Sequence, residues 1–310
     1  MLTRLTDKSK KTLSKSERTV RKEKTVSFVI LFIVTILWML PLVYMVGTSF
    51  KSDYDLQTNP SGLFPSAGQW TLAHYKSFLS ADSDTKIFYW LANSLWSTLL
   101  HVGLTVLLDL LTAYVLVFLN FKGKEKFVKL LYLWMAVPGV IGTAPMFAIF
   151  AAMRNGLAID SNAGSYAYIF FWIVMPGVSG IFNMLLMRNF FLSIPRDIVD
   201  SARSDGASNF KIFTKIIVPL ARSTIMLIVL FTFTGSWNSL NWPQLIFSGE
   251  AQKWWTVTIG LTKFTDSQAA AAATGVAMAT SVFAMLPIII VFLFTQSKMI
   301  DGLASTGIKA

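Results

Sequence analysis

The stretch Asp200-Ser201-Ala202-Arg203-Ser204-Asp205-Gly206, followed ten residues later by Ile216-Ile217-Val218-Pro219, is a polar island between two long apolar segments. It contains no cluster of metal ligands and no nucleophile paired with a base. Its pattern predicts a short helix, a glycine break and a second short helix that leads into a membrane span. We interpret this island as a docking surface on a membrane protein rather than as a reaction centre.

Local signals support a helical hairpin over about residues 193–218. Ser193 is a plausible N-cap, and Pro195 is a plausible early helical residue. The first helix is expected to end near Asp205, where Gly206 can supply the left-handed residue that often terminates a helix. Ser208 or Asn209 can then cap the second helix. Pro219 fits the start of the next span, because an early helical position loses little by lacking an N–H.

Composition places the chain among polytopic membrane proteins. Hydrophobic residues make up 54% of the 310 residues, and only 14% are charged, against about 25% in soluble domains. Mean hydropathy is +0.57. Apolar runs long enough to cross a bilayer occur at Val26–Phe50, Phe88–Leu119, Phe127–Met153, Tyr166–Met187, Ile216–Leu240 and Ala269–Thr295. Because backbone groups in hydrocarbon must pair internally, we predict an all-α membrane protein of six transmembrane helices.

Basic residues predict the orientation of these spans. If the N-terminus is inside, cytoplasmic segments hold 21 of the 27 Lys and Arg, nine of them within residues 1–24, and outer segments hold six. We therefore expect both termini in the cytoplasm, with a basic tail over 1–25, a span domain over 26–296 and a C-terminal tail over 297–310. The net charge of +11 then needs no nucleic acid, since a basic tail beside a membrane attracts anionic lipid.

Several classes of site are excluded or unsupported by residue content. The chain has no cysteine, which rules out disulfides and thiolate chemistry. Its two histidines, His74 and His101, have no spaced partner that would form a metal site. A Gly-x-x-x-x-Gly-Lys-Ser/Thr phosphate loop is also absent from the sequence. We therefore expect no catalytic residues, no bound metal or cofactor and no ATP hydrolysis by this chain.

The island resembles the cytoplasmic signature of ABC importer permeases: Glu-Ala-Ala, three residues, Gly, nine residues, Ile, any residue, Leu-Pro. The matching residues here are Asp200-Ser201-Ala202, Gly206, Ile216 and Val218-Pro219, with mild departures at Asp200, Ser201 and Val218. The segment Asp205-Gly206-Ala207 and the ending Asp301–Lys309 are similar to the carbohydrate, maltose-permease-like subfamily.

This resemblance implies a type I ABC importer permease fold in a bacterial cell membrane. It implies that the hairpin couples to a separate ATPase, through Asp200, Ser201, Ala202, Asp205, Gly206, Ala207, Phe210, Phe213, Ile216 and Pro219. The implied partners are a second permease, two ATPase subunits that carry ATP and Mg, and an extracytoplasmic solute-binding protein. A carbohydrate, expected to be an oligosaccharide, is the implied substrate. A polyamine or glycerol phosphodiester permease and a self-contained secondary transporter remain alternatives.

Five residues are candidates for the substrate path. Asp109 lies within an apolar span, where an acid is costly and is a functional candidate by default; a polar contact with the partner permease is the favoured alternative. Trp237, Asn238, Asn241 and Trp242 combine aromatic faces with amides, which suits a sugar. An interfacial aromatic belt with helix capping explains these four residues equally well. Pro138, Pro145 and Pro176-Gly177 are predicted to kink the spans that contain them.

Overall fold

A computed structural model describes residues 15–80, 86–156, 163–266 and 271–307, which are helical nearly throughout. Within these ranges the only β pairing is an isolated bridge between Lys51 and Trp70. The α-helices are α1 Lys15–Ser49, α2 Asp53–Thr58, α3 Ala73–Leu79, α4 Ile87–Phe118, α5 Lys124–Met135, α6 Thr143–Gly156, α7 Ala163–Val174, α8 Ile181–Leu192, α9 Arg196–Ser204, α10 Asn209–Ile212, α11 Val218–Leu220, α12 Arg222–Trp237, α13 Asn241–Ile246, α14 Val257–Asp266 and α15 Ala271–Gly307.

Four segments are each long and apolar enough to cross a membrane: Lys22–Ser49, Ile87–Phe118, Arg222–Ile246 and Thr274–Met299. Two further segments qualify only as bent pairs of helices. The described residues therefore contain four candidate spans, or six if each bent pair is one span. The all-helical prediction is confirmed. The predicted C-terminal tail over 297–310 stays a prediction, and its first residues belong to α15, which continues to Gly307.

The two bent segments lie in the regions of the predicted third and fourth spans, where the sequence predicted kinks. Helices α5 and α6 meet at 92°, across Pro138 and a 3-10 turn over Gly139–Gly142. Segment Tyr166–Gly177 meets α8 at 46°, across a 3-10 turn over Met175–Gly177. Proline cannot donate the backbone hydrogen bond that would continue a helix. The predicted kinks at Pro138 and Pro176-Gly177 are thus confirmed, whereas Pro145 lies in the first turn of α6 and causes no break.

Helix α4 lies at the centre of the packing. It contacts α7, α8, α12 and α14, and its buried face carries both apolar and polar side chains. Near its N-terminal end, Trp90 is fully buried and donates from Nε1 to the Gln252 carbonyl at 2.7 Å. Near its other end, Tyr114 and Val117 belong to an apolar cluster shared with α8 and with residues 194–228. One straight helix therefore connects both ends of the bundle.

A small cap of α2 and α3 packs against α15, and the Tyr75 hydroxyl of α3 contacts the Ser49 hydroxyl at the C-terminal end of α1 at 2.8 Å. The Asp55 carboxylate accepts hydrogen bonds from the Ser66 hydroxyl at 2.6 Å and from the Ser66 N–H at 3.0 Å. These bonds, the side-chain one foremost, hold the pKa of Asp55 below its usual range. His74 Nε2 contacts the Lys51 carbonyl at 2.8 Å. The cap is thus fastened by polar contacts rather than by a sheet.

The close packing of α14 on α4 yields a stability prediction. A Cβ added at Gly260 would overlap the Trp90 ring, which is buried and cannot move aside. Gly260→Ala should lower stability by about 1–3 kcal/mol, as overpacking usually does. Gly103→Ala is the matched control, because a Cβ there meets open space within helix α4. Thermal unfolding in detergent measures both, and equal midpoints would contradict this packing.

Candidate functional site

The first half of the polar island is a helix with a glycine-terminated end. Helix α9 ends at Ser204, and Gly206 adopts φ +77°. The Gly206 N–H donates to the Arg203 carbonyl and the Ala207 N–H to the Ala202 carbonyl, both at 3.0 Å. This pair of bonds is the Schellman motif. The predicted left-handed conformation of Gly206 at the end of α9 is confirmed by this φ angle. Glycine is favoured there because it has no Cβ to oppose a positive φ.

The start of α9 differs from the prediction. Pro195 is the N-cap residue, not a residue of the first turn, and no side chain caps the helix. Ser193 instead follows α8, and its hydroxyl donates to the Phe190 carbonyl at 2.7 Å. The extended conformation of Pro195, with ψ 129°, separates the two helices. Ser193 therefore ends the preceding helix rather than beginning the hairpin.

The exposed residues of the hairpin gather around its turn. Asp200, Ser201, Asp205 and Gly206 are exposed, and the Asp200 side chain retains 65% of its accessible surface. Ala202 and Ala207 are half-buried and pack against the apolar cluster below. The outward surface is thus polar and carries charges of both signs, since Arg203 beside Asp200 is exposed as well, and the alanines lie beneath it.

The second half of the island separates its two phenylalanines. Ser208 caps α10, accepting from the Lys211 N–H at 3.3 Å. Phe210 is 75% exposed, whereas Phe213 is 9% exposed and packs edge-on against Tyr114 with ring centroids 5.2 Å apart. The expectation that Phe213 is an anchor for a partner is therefore corrected: its ring is already buried within this chain. Phe210 keeps the surface that such an anchor needs.

The next span starts later than predicted. Residues Phe213–Ile217 form a π-helical turn, α11 contains Pro219, and Ala221 departs from helical geometry with ψ 8°. Helix α12 begins only at Arg222. Ile216 is half-buried and Pro219 is exposed. The predicted start at Ile216 is wrong, because the proline and the π-turn interrupt the regular hydrogen-bond ladder.

The hairpin is fastened to α4. Arg203 donates from Nη2 to the Phe118 carbonyl at 3.2 Å, and the Tyr114 hydroxyl donates to the Asn209 carbonyl at 3.2 Å. Ile212 and Ile217 are fully buried in the cluster with α4 and α8. Burying such a side chain contributes roughly 1.5–3 kcal/mol. The hairpin is therefore docked on the bundle and does not hang free as a loop.

A second feature is a polar cavity of about 350 Å³ between α4, α8, α12 and the break after α7. Its lining includes hydroxyl, amide and imidazole groups and one indole: Ser94, Ser97, Thr98, His101, Asn183, Thr232, Ser236, Ser239, Trp242 and Thr256. Asn183 donates to the Thr232 hydroxyl at 3.1 Å. Among the described residues, no Asp, Glu, Lys or Arg lines the cavity. The cavity therefore offers donors and acceptors without fixed charge.

The five predicted path residues do not gather in this cavity. Only Trp242 lines it, and its Nε1 donates to the Trp172 carbonyl at 2.8 Å. Trp237 is buried, donates to the Ala284 carbonyl at 3.1 Å and stacks on Phe233. Asn238 and Asn241 are exposed elsewhere. Trp237 is thus a buried packing residue. Neither the sugar-contact interpretation nor the aromatic-belt interpretation predicted this position.

Asp109 is fully buried, so its side chain is not available to a partner subunit. It accepts a 3.3 Å hydrogen bond from Ser179, in the break before α8. Its other oxygen has no hydrogen-bond partner among the described residues. The favoured expectation of a contact with the partner permease is therefore corrected, because the polar contact lies within this chain and outside the cavity lining.

Sequence reasoning missed the polar face of α4. Ser94, Ser97, Thr98 and His101 follow i, i+3, i+4, i+7 spacing, and the same face continues to Asp109. Such spacing puts side chains on one face of a helix, and in a membrane that face turns away from lipid. The signal was thus present in the sequence. Among the described residues no group of three His, Cys, Asp or Glu could hold a metal ion.

Comparisons with known proteins agree with this architecture. The arabinooligosaccharides transport system permease protein AraQ of Bacillus subtilis (strain 168) is 30% identical over 222 residues, covering 72% of this chain and 74% of that protein. The sn-glycerol-3-phosphate transport system permease protein UgpE of Rhizobium meliloti (strain 1021) is 25% identical over 286 residues, covering 91% and 96%.

A solved bacterial ABC transporter involved in the import of the acidic polysaccharide alginate contains a chain with the same fold. Its TM-score is 0.73 at 22% identity, over 92% of this chain and 98% of that one. The family described as binding-protein-dependent transport system inner membrane component matches residues 106–299. On the family match and the AraQ similarity, this chain belongs to the binding-protein-dependent transport system inner membrane components, the permease family of ABC importers.

Proposed function

We propose that this chain forms, with a second permease, the translocation pathway of an ATP-driven importer for a carbohydrate, most simply an oligosaccharide. Two separate ATPase subunits would bind and hydrolyse ATP with Mg, and an extracytoplasmic solute-binding protein would deliver the substrate. The single observation that carries the proposal is the docked hairpin, which exposes Asp200, Gly206 and Phe210 around a Schellman turn. Family membership supports the dependence on a binding protein.

The hairpin has the properties that a coupling surface needs. Its inner face is buried against α4 and α8, so a force applied at the tip would reach the bundle. Its outer face offers an exposed aromatic anchor, Phe210, and charged side chains of both signs, among them Asp200. Aromatic side chains seated in a pocket dominate many protein interfaces. An apolar pocket for Phe210 and a basic residue opposite Asp200 on an ATPase subunit would complement this surface.

The uncharged cavity supports a carbohydrate as the substrate class. Hydroxyl and amide groups around an aromatic ring can hydrogen-bond sugar hydroxyls, and Trp242 offers the ring. A polyamine would call for acidic side chains and a glycerol phosphodiester for basic ones, and the lining contains neither. The similarity to UgpE keeps a phosphorylated solute as the second candidate. Uptake assays with both solute classes separate the two.

Orientation is part of the proposal. The distribution of Lys and Arg puts both termini, the loop around Lys124 and the hairpin in the cytoplasm. Reporter fusions at residues 57, 160 and 258 should then read outside, and fusions at residues 10 and 205 should read inside. An outside signal at residue 205 would contradict the assignment of the hairpin to the ATPase side.

The coupling role predicts the effect of Gly206→Asp. A side chain at φ +77° strains the backbone by about 1 kcal/mol or more, and it adds a charge at the exposed turn. The variant should insert and pair with the second permease but lose ATPase co-purification and sugar uptake. Gly123→Asp is the matched control, since Gly123 has φ +87° and open space around it in another loop. Normal uptake by Gly206→Asp would remove the main support for the proposed function.

The buried contact of Asp109 predicts tolerance of an amide. Asp109→Asn retains a side-chain oxygen for the Ser179 hydroxyl, whose 3.3 Å bond links α4 to the break before α8. Uptake should therefore stay near the wild-type rate. Asp109→Leu should reduce both uptake and thermal stability, because Ser179 loses its acceptor. Loss of uptake by Asp109→Asn in a stably assembled complex would show instead that transport needs the charge.

A further inference from the structure

The backbone between the hairpin and α12 is irregular. The Val218 N–H donates to the Phe213 carbonyl, an i+5 bond that marks a π-turn. Pro219 has no N–H to donate, and Ala221 deviates from helical geometry with ψ 8°, although its N–H still donates to the Ile217 carbonyl at 3.0 Å. Interruptions of the helical ladder are places where a helix bends. Helix α12 follows the second half of the hairpin directly in the chain. The irregular segment between them can nevertheless bend, and so absorb part of a displacement of the hairpin.

The connection between the hairpin and α4 has no such irregular segment. The Arg203 guanidinium donates to the Phe118 carbonyl, the last residue of α4. A cation at this position favourably opposes the partial negative charge of a helix C-terminus. Tyr114 adds a hydrogen bond to the Asn209 carbonyl and an aromatic contact with Phe213. Both halves of the hairpin, α9 and α10, therefore hold the same end of α4.

Arg203 also faces the exposed side of the hairpin. Its Nη1 lies 3.5 Å from Asp200 Oδ1, one turn earlier on α9. Asp200 is the acid proposed above to meet the ATPase subunit. The Arg203 guanidinium thus lies between the Asp200 carboxylate and the Phe118 carbonyl at the end of α4. It can donate to both groups at once because its N–H donors form a planar fork.

Helix α4 continues from this contact to the outer side without a break. On the way His101 contacts the Gly177 carbonyl at 3.0 Å, at the break between α7 and α8. At the outer end, Asn93 donates to the Lys253 carbonyl at 2.9 Å, and Ser94 accepts from the Val257 N–H at 2.8 Å. A movement of α4 would therefore reach the break, the polar cavity and the outer segment before α14.

We propose that Arg203 and Tyr114 are positioning residues that make α4 move with the hairpin. Through them α4 carries a displacement imposed by the ATPase subunits to the Gly177 break and to the outer segment around Lys253. The route through α12 is secondary, because the π-turn and Ala221 absorb motion. This inference rests on the proposed function and adds to it the path by which the hairpin acts.

The test uses the whole complex, reconstituted in proteoliposomes with its binding protein. Arg203→Gln removes the guanidinium fork, and Tyr114→Phe removes only the hydroxyl while keeping the ring against Phe213. The measured quantity is the number of sugar molecules imported per ATP hydrolysed. The double variant should lower this ratio by about fivefold or more, the range of typical coupling energies. ATPase attachment and basal ATP hydrolysis should stay at wild-type levels, which a loss of the folded hairpin would not allow.

Two variants serve as controls. Arg196→Gln makes the same charge change on an exposed residue of α9 and should keep the wild-type ratio. Arg203→Lys keeps a cation near the end of α4 and should recover part of the loss. An unchanged ratio in the double variant overturns the inference while the proposed function stands. Detachment of the ATPase from the double variant also overturns it, because Arg203 would then act in attachment. A wild-type complex whose ATPase ignores the sugar-loaded binding protein overturns the proposed function, and the inference with it.

Discussion

A backbone group freed inside a membrane must find a partner in the protein, and this constraint governs the architecture of the chain. Water cannot satisfy a broken helix in hydrocarbon, and each unpaired group costs several kcal/mol. The span from α7 to α8 is broken at Met175–Gly177. The His101 ring nitrogen Nε2 contacts the Gly177 carbonyl, and the Asp109 carboxylate accepts a hydrogen bond from the Ser179 hydroxyl. The polar face of α4 is therefore what allows its neighbour to bend.

The same contact explains why position 177 is a glycine. A Cβ there would lie 2.6 Å from Cε1 of His101, closer than such atoms approach in folded proteins. The imidazole, the glycine and the break thus depend on one another. Their packing also shapes one wall of the polar cavity, since His101, Pro176 and Gly177 all line it. A structural requirement of the membrane and a candidate passage for substrate share the same side chains.

Outside the hydrocarbon, the hairpin follows the ordinary rules of soluble proteins. Its helices are too short to be stable alone, so their apolar faces must be buried on the bundle. Val199, Ile212 and Ile217 supply that face. Asp200, Asp205 and Phe210 remain on the surface. The hairpin is thus divided into a docked face and a free face, as the proposed coupling role requires.

The class of the protein could be predicted from residue order alone, because long apolar runs, few charges and the signature around Gly206 depend on local physics. Span length, the left-handed glycine and the cap at Ser208 need only neighbouring residues. Contacts between residues far apart in the sequence could be seen only in the folded chain. Tyr114 packs against the buried Phe213, Ser179 donates a hydrogen bond to Asp109, and Trp237 is buried. Tertiary structure also decided that α5 and α6 meet at 92°, since a proline permits a bend but only packing sets its angle.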